Sequence, residues 1–171
     1  MKKYCILIIS LFYLGACVNH KNLYTLEENY LERRNIETRI FNTIENKKIL
    51  ISSAQVLQDM GYSISESEAK IGVLTASKLR ESGSTAGKAA LVVLAAFAGT
   101  PAVYEDSQRF YVSIVNTKIN EKQTRVRVIF ARTSYDNYGN ILTIQKLEEE
   151  KLYQEFFDKL SQSIFLTNND I

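Results

Sequence analysis

RFYVSIVNTKINEKQTRVRVIFA, residues 109–131, decides the fold. Its first half places Phe110, Val112 and Ile114 on one side and Tyr111, Ser113 and Val115 on the other. Its second half alternates Val126, Val128 and Phe130 with Arg125, Arg127 and Ile129. Between them, Asn120-Glu121-Lys122-Gln123 suits a hairpin turn. A period of two with one apolar side is the pattern of antiparallel strands that bury one face and leave the other wet. The apolar face of such a hairpin needs a cover, and the rest of the chain is read for one.

Two stretches supply it. In KKILISSAQVLQDMGY, residues 47–62, the positions Ile49, Leu50, Ser53, Ala54, Val56, Leu57 and Met60 recur at helical spacing. This predicts a helix from about Glu45 to Met60, with Gly61 as a left-handed stop. In EEEKLYQEFFDKLSQSIFL, residues 148–166, Tyr153, Phe156, Phe157, Leu160 and Ile164 line one helical face. Glu148, Glu149 and Glu150 stand at its start, where the macrodipole favours negative charge. Short strands are expected at Thr38–Phe41, Tyr62–Ser65, Val73–Lys78 and Ile141–Leu147, with a turn at Asp136–Asn140. The order is strand, helix, two strands, insert, two or three strands, helix. The simplest packing is an α+β domain over 38–171, an antiparallel sheet with two helices packed on one face, plus an apolar insert at about 81–105.

The insert is ESGSTAGKAALVVLAAFAGTPAVYED, residues 81–106. Ala89 to Ala98 is ten consecutive apolar residues. As a helix, ten residues span roughly 15 Å, about half of a hydrocarbon core, so the run cannot cross a membrane as a helix. Three readings are open. It packs on its own domain as core, it is a self-association or partner surface, or it dips into the bilayer. Leu91, Val92, Val93, Leu94 and Phe97 are the residues expected to make the partner or membrane contact. Ala89, Ala90, Ala95, Ala96 and Gly99 permit close helix packing. Gly83–Ala89 has a superficial likeness to a phosphate loop. Its glycines are one residue too close, and Ala89 stands where a hydroxyl is needed, so it is read as a flexible lead-in.

The amino end is a different kind of segment. Met1-Lys2-Lys3 precedes an apolar stretch, Tyr4 to Leu14, broken only by Ser10. A positive start, an apolar middle and small residues at a cut site make a secretory signal. Leu14-Gly15-Ala16-Cys17 resembles the lipobox of bacterial lipoproteins. That resemblance implies cleavage after Ala16 and diacylglycerol attachment to the Cys17 thiol, followed by acylation of the new amino end. The expected organisation is a signal peptide at 1–16, a lipidated cysteine and tether at 17–37, and the domain from 38. Val18, rather than an aspartate, follows the cysteine. The resemblance then implies the outer membrane, facing the periplasm. Cys5 lies in the segment to be removed, which leaves no pair for a disulfide and a fold held by its core alone.

Charge narrows the function classes. The chain has 21 Lys+Arg and 19 Asp+Glu, and residues 1–16 hold Lys2, Lys3 and no acid. The remainder is therefore balanced at 19 of each sign, which argues against a nucleic-acid partner. His20 is the one histidine, in the tether, so no metal site, no cofactor and no catalytic triad are expected. Asp136–Asn140 has oxygen ligands but not the calcium-loop pattern. Arg125, Arg127 and Tyr111 are expected to share the wet sheet face.

TRIFNT (38–43), ISSAQVLQDMGYSISESEAKIGVLTASKL (51–79) and YQEFFDKLSQSIFL (153–166) resemble a family of uncharacterised lipoproteins from Gram-negative bacteria. The likeness covers about Thr38 to Leu166, and it implies no functional residues, because no activity is established for that family. The layout is also similar to the helix-grip domains of a lipoprotein in the outer-membrane protein assembly machine, as fold-level analogy only. The expected function is that of a lipid-anchored periplasmic binding or scaffolding protein. It would be an accessory part of an envelope assembly that holds a protein partner, or copies of itself, near the membrane. The alternative is a small-molecule or lipid-binding module with a cleft between helices and sheet. An envelope enzyme is the least supported, because nothing assembles a nucleophile with a base.

Overall fold

The expected hairpin is the centre of the sheet. In the computed structural model, which describes residues 29–43 and 45–168, β4 (Glu105–Lys118) and β5 (Thr124–Asp136) pair along their whole length, from Ser107↔Tyr135 to Lys118↔Thr124. β3 (Val73–Glu81) pairs β4, and β2 (Ser63–Glu68) pairs β3. On the far side, β5 carries two short strands. β1 (Thr38–Phe41) takes its first half and β6 (Ile141–Lys146) its second. The sheet order is β1-β5-β4-β3-β2 with β6 also on β5, and every pair is antiparallel.

Two helices cover one face. α2 (Asn46–Asp59) buries Ile49, Leu50, Val56 and Leu57. α4 (Glu150–Asn168) buries Tyr153, Phe156, Phe157, Leu160 and Ile164. The sheet answers with Leu74, Ala76, Val112, Ile114, Val126, Val128 and Phe130. These are the alternate positions that the period of two selects, because successive side chains leave opposite faces of a strand. Phe130 sits inside an aromatic cluster, edge-on to Tyr153 at 5.3 Å and to Phe156 at 5.9 Å. The Tyr153 hydroxyl donates to the Leu147 carbonyl at 2.6 Å, and burial pushes its pKa up to about 12. Gly61 ends α2 at φ +82, and the Tyr62 amide returns to the Leu57 carbonyl, as a left-handed stop requires.

The stretch read mainly as a tether ends in a short helix, α1 (Tyr30–Ile36), and residues from Leu31 on group with the sheet as one compact unit. Glu37 ties this segment down. Its carbonyl accepts from the Val128 amide in the gap between β1 and β6, and its side chain is 3 % exposed. Arg127 donates to that carboxylate at 2.9 Å, and Lys146 pairs with its other oxygen. Arg33 reaches Glu148 at 2.7 Å. A polar sequence hides such docking, because ion pairs leave no hydrophobic period to read.

Candidate functional site

The insert is a helix, α3 (Thr85–Ala98), set between the end of β3 and the start of β4. Its ends are built in. Ser84 caps the start, its hydroxyl oxygen accepting from the Gly87 amide at 3.1 Å. Gly99 caps the finish at φ +66, where a glycine carries no Cβ penalty. The Gly99 and Thr100 amides donate back to the Ala96 and Ala95 carbonyls. The expectation of a flexible lead-in at Gly83–Ala89 is therefore corrected: this stretch is the capped first turn of α3.

The base of α3 is clasped. Lys88 Nζ donates to Asp106 Oδ1 at 2.7 Å and lies 5.7 Å from the centre of the Tyr104 ring. The Asp106 bond pushes the lysine above its ordinary pKa. Ser82 donates through its hydroxyl to Glu105 at 2.7 Å, and Gln108 donates to the same oxygen. Those two bonds, Gln108 first, hold the Glu105 carboxyl below the usual range. The returning chain is pinned by Asn137, whose side chain accepts from the Tyr104 amide and donates to the Ala102 carbonyl. Asn137 is itself placed by the Asp136 turn, where Asp136 accepts from the Tyr138 and Asn140 amides and from the Asn140 side chain.

Above this base α3 buries no residue. The reading of the apolar run as core is overturned: Leu91, Val92, Val93, Leu94 and Phe97 are all exposed, Phe97 by 87 % and Leu91 by 47 %. The physical cause is that α2 and α4 already fill the apolar sheet face, and the opposite face carries polar side chains such as Arg125 and Tyr111. Lys88 and Ala95, seven residues apart and on one side of the helix, are its half-buried positions. From Ala89 to Ala98 the helix is apolar on every side, a composition usual for helices buried all round. Other apolar side chains are exposed at this same end of the sheet: Leu79, Val103, Tyr138, Ile141 and Leu142. The unbroken apolar run singled out Leu91, Val92, Val93, Leu94 and Phe97, and the structure leaves all five exposed. The run did not reveal the clasp, whose signal was a lysine at the start of the run and an aspartate at its close.

Leu14, Gly15, Ala16, Cys17 and His20 lie outside the described residues. Among the described residues no group of three or more His, Cys, Asp or Glu side chains is placed to hold a metal ion. No described helix is long and apolar enough to cross a membrane. Tyr111 and Arg125 are exposed on the uncovered sheet face, and Tyr111 meets the Tyr135 hydroxyl at 3.4 Å. The core between helices and sheet is filled by Ile49, Leu57, Phe130, Tyr153, Phe156 and Leu160, and an open pocket lies at its edge between β1 and α4, lined by Thr38, Arg39, Glu150, Gln154 and Phe157. No protein-family model matches the chain, and no curated protein is significantly similar to it.

Proposed function

We propose that this protein is a lipoprotein of the cell envelope, held by acyl chains on Cys17 at the periplasmic side of the outer membrane, and that it acts by binding rather than catalysis. It is an accessory part of an envelope assembly. The observation that carries the reading is α3. An apolar helix of this size, capped at both ends and exposed to water, is a contact surface for a partner or for the membrane itself, because large exposed apolar patches mark interaction sites. The clasp at Lys88 and Asp106 supports it, since a contact element held rigid loses less entropy on binding. Leu91, Val92, Val93, Leu94 and Phe97 make the contact. The lipobox likeness supports the anchor, and a surface-bound protein gains from confinement near its partners.

The test has two parts. Labelled palmitate should enter the wild-type chain and not the Cys17→Ser form, which should also leave the membrane fraction. In-cell crosslinking from positions on α3, read by mass spectrometry, should name lipid, a second copy or an envelope protein as the neighbour. Equal palmitate incorporation in wild type and Cys17→Ser would end the anchor reading.

A further inference from the structure

The geometry points to one occupant for α3, and we propose that it is the hydrocarbon of a single membrane leaflet. This rests on the envelope location above and deepens it by naming what the helix contacts.

Four observations favour hydrocarbon over protein. First, α3 has no polar side between Ala89 and Ala98. A helix that docks in a groove or pairs with a copy needs one apolar stripe, whereas a helix apolar all round suits surroundings that are apolar all round. Second, the dimensions fit. The apolar run is about 15 Å long, the depth of one leaflet of a hydrocarbon core about 30 Å thick. Third, the helix alone is a small surface for a second copy. A helix about 21 Å long and about 10 Å wide projects a strip of roughly 200 Å², and a stable complex with about 800 Å² per partner would have to recruit much more of the domain.

Fourth, the far end of α3 leaves few free backbone donors. In hydrocarbon every backbone donor needs an internal partner. The Gly99 and Thr100 amides are bonded within the helix, and Pro101, the next residue, has no N–H. The surroundings agree with a membrane boundary. Tyr104 sits over Lys88 at the clasp, and exposed Tyr138, Val103, Ile141 and Leu142 share that end of the sheet. Leu31 follows Cys17 by fourteen residues, a reach of at most about 50 Å. A contact at α3 would supply the second signal that stable anchoring uses.

The test reads depth directly. Single-cysteine forms of the full chain, with Cys5→Ser and Cys17→Ser, carry an environment-sensitive dye at Val93→Cys, Phe97→Cys or Lys122→Cys. They are reconstituted into vesicles of phosphatidylethanolamine and phosphatidylglycerol that contain spin-labelled acyl chains. Dyes at 93 and 97 should shift to the blue, lose emission to the spin labels and escape quenching by iodide. The dye at 122, in the β4–β5 turn, should stay wet. Dyes at 93 and 97 as open to iodide as the one at 122 would overturn the proposal. So would a blue shift that appears without vesicles and grows with protein concentration, which would assign the helix to a second copy. Palmitate incorporation at Cys17 is a separate readout in the wild-type chain. Its loss with depth retained removes the anchor and keeps the insertion; the reverse removes the insertion alone.

Discussion

Lys88 Nζ lies 2.7 Å from Asp106 Oδ1, joining the first turn of α3 to the strand that receives the chain from it. Eighteen residues separate the pair in sequence, and the whole apolar run lies between them. This contact joins the Ser82–Glu105 and Asn137 bonds in tying the base of α3 to the sheet.

Asp106→Ala should therefore loosen α3 and little else. Amide exchange across Ala89–Ala98 should accelerate, while the melting temperature stays close to that of wild type. The Lys88 side chain titrates above the ordinary lysine value of 10.5 because Asp106 binds its charged form. That contribution is present below 10.5, where Asp106 is ionised, and is lost as the pH rises through the raised value. In Asp106→Ala the NMR titration of Lys88 should fall back toward 10.5. An unchanged titration would show that the bond does not hold in solution.

Val93→Asp and Phe97→Asp should leave the fold standing. Both side chains are exposed, so the cost is helix propensity alone, under about 1 kcal/mol by urea denaturation. A loss of several kcal/mol would mean that the run is core after all.

Phe130→Ala should do the opposite. The ring is fully buried and packed against Tyr62, Tyr153 and Phe156. Its removal leaves a cavity beneath α4 and should cost about 3–5 kcal/mol. Urea denaturation checks it, and a cost below that of an ordinary surface substitution would contradict the packing described.

Asp136 carries a pH signature. The Asn140 side chain, and after it the backbone amides of Asn140 and Tyr138, hold its carboxyl below the ordinary 3.8. A depressed carboxyl contributes stability above the unfolded value, and that contribution disappears as the pH falls through the folded one. Asp136→Asn should therefore be less stable than wild type at neutral pH, with the gap closing in acid below 3.8. Urea midpoints across the acid range measure it, and a gap independent of pH would refute the assignment.

Much of the fold was legible before the structure. The alternation of Val126, Val128 and Phe130, the helical spacing of Ile49, Val56 and Leu57, and that of Tyr153, Phe156 and Leu160 each name a buried face correctly. Side-chain period is a local property, and a covered sheet needs little else. Glu37 was not legible. Its partners Arg127 and Lys146 stand 90 or more residues away, and a lone glutamate in a polar stretch carries no period.

The amino-acid sequence alone determined that residues 89–98 are apolar, that they are long enough for a helix and too short to span a bilayer, and which sheet face is core. Only the tertiary structure decided that α3 is left uncovered. An apolar run specifies a wish for non-aqueous surroundings, but whether the chain itself supplies them depends on the area its other elements have already filled. Here α2 and α4 fill it, and α3 remains capped, clasped and exposed.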